Sequence, residues 1–435
     1  MKIITLFLVL LAGTAFSQRD SLNLSDCYRI ANENYPLIKQ KGLLEKASVL
    51  RLQNYAQNYL PGVSLNGQAT YQSDVTQVSI TMPEIPGIGQ LPSPEMPDPA
   101  KDQYKFTLDV SQTIWDGGLT KAQKEFESTG LEADLKQIEV DMYKLSSQIN
   151  SLFFTVLSLQ STNQSLALLR NEIGEKIKVA GSAIKNGVGD STAVQILMAE
   201  QLKIDQQLIE IESARKASIQ MLEKLLSFDL GEQVVFSEPD PVGYENAGTR
   251  PEYGLFELSR KKLDAGNNLL SKKNSPMLFG FGQIGYGKPG LNMLSDQFDS
   301  FYIVGAKVTW SITDMWKTSR DRKIISIQKD MVVVQEEIFK NAQDVQIEKE
   351  KADIEKYGSL IVKSREILRL RESIAQKSSS KFENGVITSN DYLTDQNAKT
   401  QTQISYDNYK LQLVKARINL LTLSGNLKYI INENQ

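Results

Sequence analysis

The chain has 435 residues, 23% of them charged and 41% hydrophobic, with a formal net charge of −3. It has no histidine and one cysteine, Cys27, which excludes Ser-His-Asp and Cys-His catalysis, His-containing zinc sites and any disulfide within the chain. A charge balance this even offers no polyanion-binding surface. No nucleic-acid partner, cofactor or metal is therefore expected, and the only enzyme left open is one built on carboxylates alone.

Residues 1–17 read as a secretory signal peptide. Lys2 supplies the positive start, 3–12 is a short apolar run, and Ala15-Phe16-Ser17 places small residues at the cleavage positions. The run falls short of the ~20 residues a membrane span needs, and no other segment comes near that length. If the exported chain enters a membrane, it must do so as a closed β-barrel. Cys27 lies too far into the mature chain to carry a lipid and reads as an ordinary helix residue.

Next come strands. Val63, Leu65, Ala69 and Tyr71 alternate with Ser64, Asn66, Gln68 and Thr70. Tyr104, Phe106, Leu108 and Val110 alternate with Lys105, Thr107, Asp109 and Ser111. Strands of about ten residues with one apolar and one polar face suit a transmembrane barrel, although a soluble half-buried sheet alternates in the same way. Between them, 82–102 holds six of the 13 prolines and reads as an exposed loop.

No proline occurs between Pro99 and Pro239, or after Pro289. Proline costs a helix interior about 3 kcal/mol, so both stretches favour very long helices. Leu131, Leu135, Ile138, Met142, Leu145, Ile149, Leu152, Val156 and Leu159 form a heptad seam. It continues through Leu166, Ile173, Ile177, Ala180 and Ile184. A helix over 119–185 would run roughly 100 Å.

The second half copies the first. Asn34-Tyr35-Pro36 pairs with Thr249-Arg250-Pro251 and Tyr59-Leu60-Pro61 with Asn274-Ser275-Pro276, both 215 residues apart. Asp116 pairs with Asp314, Asn186-Gly187-Val188 with Asn384-Gly385-Val386, and Leu222 with Leu420, all 198 apart. The 17-residue change falls in the proline-rich loop. In the second copy, Tyr302, Val304, Ala306, Val308 and Trp310 alternate cleanly, whereas 278–286 alternates poorly, with Phe279 and Phe281 on the polar face. Trp115, Trp310 and Trp316 all fall at the helix-side end of the strands, where an aromatic membrane-interface belt would lie.

The expected fold is mainly α with a small β part: long antiparallel coiled-coil helices plus four strands per chain, in two internal repeats. The first repeat covers 18–230, with a β-hairpin at about 62–115 and long helices at about 119–185 and 190–228. A connecting segment fills 231–248. The second repeat covers 249–435, with a β-hairpin at about 277–312 and long helices at about 315–383 and 389–425. Four strands cannot close a barrel, so several chains are required.

The motifs resemble those of the TolC-like outer-membrane efflux protein family, over nearly the whole mature chain. The helix 24–36, ending Asn34-Tyr35-Pro36, is similar to the family's first-helix motif. Leu60-Pro61-Gly62-Val63 and Ser111-Gln112-Thr113-Ile114-Trp115-Asp116-Gly117-Gly118 resemble its strand-entry and strand-exit motifs, and 385–395 its last helix turn. The second strand exit departs, with Asp314-Met315-Trp316. The resemblance implies a homotrimer whose twelve strands form an outer-membrane barrel in lipid and whose twelve helices form a periplasmic α-barrel. Its implied partners are a periplasmic adaptor protein and, through it, an inner-membrane pump. Its implied place is the outer membrane of a Gram-negative bacterium, and its cargo small molecules, metal ions or proteins. A secreted or surface coiled-coil scaffold or adhesin is the alternative, and it leaves the strands unexplained.

A conduit needs a gate and a docking surface. The tips Asn186-Gly187-Val188 and Asn384-Gly385-Val386 are helix C-caps, and the resemblance adds adaptor docking. Asp391 and Asp395 follow the second tip. Thr388, Ser389 and Asp391 suffice as an ordinary helix start; the resemblance adds a ring of aspartates constricting the periplasmic entrance. Asp391 matches the first ring position, but the second falls on Thr394, with Asp395 one residue late. The family's arginine in this turn is Ile387 here.

Overall fold

The protein is described from a computed structural model covering 21–76, 82, 84–87, 89–90, 100–187, 190–231, 234–239 and 248–426. The signal peptide, Val188, most of 82–102 and much of the connecting segment lie outside these described residues. Two helices, α1 (Leu24–Asn34) and α2 (Leu37–Ala56), lead to strand β1 (Gly62–Tyr71). Short strands β2 (Glu84–Ile85) and β3 (Gly89–Gln90) precede β4 (Asp102–Trp115), α3 (Leu119–Lys185) and α4 (Ser191–Leu226). The second repeat supplies α5 (Pro251–Lys273), β5 (Met277–Lys288), β6 (Asp299–Thr309), α6 (Asp314–Glu383) and α7 (Ser389–Leu423). The paired motifs fall where the copies require: α3 and α6 end at Lys185 and Glu383, and α4 and α7 begin at Ser191 and Ser389, each pair 198 residues apart. Among the described residues no helix is long and apolar enough to cross a membrane.

The chain divides into two compact units. One takes the described residues within Met1–Gly42, Leu135–Leu255 and Gln335–Gln435. Its core gathers Leu24, Cys27 and Tyr28 of α1 with Ile149, Phe153 and Val156 of α3, Leu222 and Leu226 of α4, and Ile418 and Leu421 of α7. Helix α1 is fixed at its start by a capping box in which Asn23 and Asp26 bond each other's backbone N–H. Cys27 is an ordinary helix residue, fully buried, and burial pushes its thiol pKa up. Inside this core the Tyr28 hydroxyl donates to Asn150. The Asn150 amide reaches Thr422 Oγ1 at 3.5 Å, so three helices share one satisfied polar set in an apolar surround.

The other unit, Leu43–Asp134 with Phe256–Val334, carries the sheet. Its strands run β1-β4-β5-β6, antiparallel throughout, with β1 and β6 at the edges. Register puts Leu65, Leu108, Ile284 and Tyr302 in one cross-strand row and Ser64, Asp109, Gln283 and Ile303 in the next. Adjacent rows face opposite sides. One face therefore carries Val63, Leu65, Phe106, Leu108, Val110, Ile284, Tyr302, Val304 and Val308, all exposed. The other carries Asn66, Gln68, Lys105, Thr107, Asp109, Ser111 and Lys307. The poor alternation of β5 has a physical cause. Phe281 lies over Gly305 of β6, where an added Cβ would come within 2.9 Å of the ring, and Phe301 lies over Gly285. Each of these two rings covers a cross-strand glycine, which accounts for Phe281 on the polar face of β5; Phe279 faces Lys307 instead.

Candidate functional site

The two tips end alike. Helix α3 closes at Gly187, whose φ of +77° is a left-handed conformation that suits glycine. Its N–H bonds the Ile184 carbonyl at 3.0 Å. Asp190 then caps α4, accepting from the Thr192 N–H at 2.9 Å. Helix α6 closes at Gly385, with φ +70°. There the Gly385 N–H reaches the Phe382 carbonyl at 3.0 Å and the Val386 N–H the Lys381 carbonyl at 2.8 Å, a Schellman motif. Asn186, Gly187, Asn384, Gly385 and Val386 are all exposed, and among the described residues nothing stands within 4 Å of where a Cβ would sit on either glycine.

Asp391 is held by Thr388. The Asp391 N–H donates to Thr388 Oγ1 at 3.2 Å, and the Thr388 hydroxyl and N–H donate back to Asp391 Oδ2 at 2.7 and 3.2 Å. This is a capping box at the N-terminus of α7. These bonds favour the charged form and lower the Asp391 pKa. Asp391 is exposed and Asp395 half-exposed; four residues apart, they lie on one face of α7.

Between them sits a residue the motifs did not single out. Tyr392 is fully buried, stacked on Phe382 at 5.1 Å between ring centroids, and its hydroxyl finds no hydrogen-bond partner among the described residues. It joins Leu166, Leu169, Ile173, Leu197, Ile204 and Leu393 in an apolar cluster that ties α7 to α3 and α4. Around this cluster run ion pairs between the copies: Lys176 with Glu383, and Lys399 with Glu172 at 2.9 Å. Lys176 also stands over the Tyr392 ring, 5.8 Å from its centroid, and its bond holds the Glu383 carboxyl pKa below the usual range. No spacing in the sequence announces these pairs, because they depend on how one helical hairpin is shifted along the other.

At the strand-to-helix joints the copies differ. Asp116 is 4% exposed and accepts from the Tyr59 hydroxyl at 2.7 Å and the Gly118 N–H at 2.9 Å on one oxygen, and from the Thr120 N–H at 2.6 Å on the other. Burial alone would raise its pKa; the bonds from Thr120, Tyr59 and Gly118 outweigh that and lower it to about 2. Gly117 and Gly118 supply the left-handed turn, with φ +66° and +85°. At the second joint Asn274 takes over. Its side-chain amide donates to Thr318 Oγ1 at 2.6 Å and its backbone carbonyl accepts the Trp310 indole N–H at 3.0 Å. Trp115 ends β4, Trp310 follows β6 and Trp316 lies in the first turn of α6, each more than half exposed.

No family model matches the sequence, and no curated protein matches it. Solved structures do match. The outer membrane protein VceC of Vibrio cholerae aligns with a TM-score of 0.65 and 13% identity, over 92% of this chain and 96% of that one. The CmeC outer membrane channel of Campylobacter jejuni gives 0.64 and 14%, over 94% and 89%. The open state of the MtrE outer membrane channel of Neisseria gonorrhoeae gives 0.65 and 13%, over 93% and 89%. At such identities the likeness establishes the fold, and the fold is the TolC-like one, with long helices and a four-stranded open sheet.

Proposed function

We propose that this chain is the outer-membrane channel of a tripartite export system. It would work as a homotrimer, in the outer membrane of a Gram-negative bacterium, with its helices reaching into the periplasm. The observation that carries this reading is the sheet. Its exposed apolar face suits lipid, yet it ends in two edge strands. In hydrocarbon each unpaired backbone N–H or C=O costs several kcal/mol, so β1 and β6 must meet strands of other copies. The helices beside those edges support the same closure. Helix α6, which continues from β6, exposes Ile324, Ile327, Met331 and Val334 at heptad spacing, and α2, which precedes β1, exposes Leu43 and Leu50. Pairing β6 of one copy with β1 of the next brings these two bare stripes together.

In this reading Trp115, Trp310 and Trp316 form the periplasmic interface belt, and 82–102 faces the exterior. The tips at Asn186-Gly187-Val188 and Asn384-Gly385-Val386 receive the adaptor. Asp391 and Asp395 line the entrance. The first test is mass and conductance: the detergent-solubilised protein should be a stable trimer that opens ion-conducting pores in a planar bilayer. A folded, stable monomer would overturn the channel reading.

A further inference from the structure

We infer that the inward face of β5 and β6 is a binding surface for aromatic organic cargo, with Phe281 as its specificity-determining residue. This rests on the channel reading, since it concerns what the enclosed space would contain.

The face carrying Lys105, Thr107 and Asp109 continues across the sheet in rows: Asn66, Thr107, Gly285, Phe301; then Ser64, Asp109, Gln283, Ile303; then Ser111, Phe281, Gly305; then Thr113, Phe279, Lys307. The half of this face contributed by the first repeat is wholly polar. The half contributed by the second repeat holds three phenylalanines, an isoleucine and three glycines, counting Gly287. Phe301 is nearly buried, its ring over Gly285 and beneath the Lys105 ammonium at 5.2 Å. Phe281 differs: it rests on Gly305 and still leaves 37% of its surface exposed, with Ile303 beside it at 36%.

Lipid cannot be what meets these rings. Lys105, Asp109 and Lys307 share the face, and charges at bilayer depth turn toward water or protein. A second copy cannot cover it either, because copies join through the edges of β1 and β6, in the plane of the sheet. What remains is whatever passes through the enclosed space. An exposed phenyl ring in a polar wall favours solutes with an aromatic face of their own, by stacking and by cation–π attraction. The neighbouring rows can satisfy the solute's polar end. Asp109 accepts hydrogen bonds from the Asn66 amide at 2.7 Å, the Thr107 hydroxyl at 2.9 Å and the Gln283 amide, and Lys307 stands two rows away, on the other side of Phe281. In a closed assembly, polar and aromatic stripes would alternate around the wall.

The test uses the full-length protein in a planar bilayer, with benzyltrimethylammonium and tetramethylammonium as probes of equal charge. The aromatic ion should depress the potassium chloride current at concentrations roughly three-fold lower, the size of one exposed aromatic contact. Phe281→Ser should remove that preference, and Phe281→Leu, which keeps apolar bulk without the ring, should remove most of it. The block is read against each variant's own potassium chloride current. If the Ser variant does not assemble, the Leu variant decides. Equal effects of the two ions, or a preference that survives both substitutions, would overturn the inference and leave the channel standing. Absence of any conductance would remove the channel reading, and this inference with it.

Discussion

The two long helices, α3 and α6, are copies by their ends and differ in what they leave exposed. Every seam position of α3 from Leu131 to Ile184 is buried or half-buried, covered by the rest of its own chain. Along the first half of α6 an apolar stripe at other positions of the repeat lies bare: Ile324, Ile327, Met331, Val334, Ile338 and Val345 are each more than half exposed. Heptad spacing encodes the need for a partner without saying which chain supplies it. One helix covers its seam within the protomer, and the other leaves a second stripe uncovered.

Substitution on the two seams should separate those roles. Phe153→Ala, in the covered seam region and fully buried, should cost the folded chain about 3–5 kcal/mol, read as a lowered denaturation midpoint. Met331→Glu should leave the helical content unchanged and abolish the oligomer, read by light scattering in detergent. A trimer that tolerates Met331→Glu would mean that the bare stripe is not an interface.

The strand-to-helix joints extend the contrast. Asp116→Ala would orphan the buried Thr120 N–H and remove the bonds of the Gly118 N–H and the Tyr59 hydroxyl, a loss of roughly 1–3 kcal/mol. The copied Asp314 is exposed, and its replacement by alanine should stay within about 0.5 kcal/mol. Comparable losses in both variants would show that the second joint leans on its aspartate after all. Acid should tell the same story more gently. With its folded pKa at about 2, below the ordinary ~3.9, Asp116 adds stability that is complete above pH ~4 and lost as pH falls through its folded pKa. Asp116→Asn should flatten that part of the acid-unfolding profile; an unchanged profile would assign the acid response elsewhere.

The smallest effect concerns the tips. Asp391→Asn weakens a capping box and should lower the melting temperature only slightly. If three copies of Asp391 line one entrance, the substitution should also reduce cation preference in single-channel recordings. Mutual repulsion in such a ring raises the pKa, whereas the bonds from Thr388 lower it, so the pH at which wild-type selectivity fades measures which influence is larger. Unchanged selectivity would leave Asp391 as a cap and nothing more.

Much of this fold is legible in the sequence. Gly187 and Gly385 mark helix ends, the proline-free stretches favour long helices, and the alternation of 63–71 and 104–111 marks strands. The poor alternation of β5 was real but unreadable, because a ring over a cross-strand glycine is a property of two strands. Tyr392 was passed over for a similar reason. Its neighbours Asp391 and Thr388 form a local motif, while Phe382, Lys176 and Ile173 reach it only through packing. The bare stripe on α6 carries the same heptad signal as the covered one on α3, so exposure could not be told from sequence.

The shared ends of the copies have a further consequence. Inserting one residue in either long helix would turn everything beyond it by about 100° and advance it by about 1.5 Å. Every seam contact past that point would then be presented to the wrong neighbour. Seven residues restore the angle, but in one copy alone they would carry its tip about 10 Å past the other. The long helices can therefore change length only in whole heptads and only in both repeats together, whereas the loop at 82–102 absorbs 17 extra residues with no counterpart in the second copy.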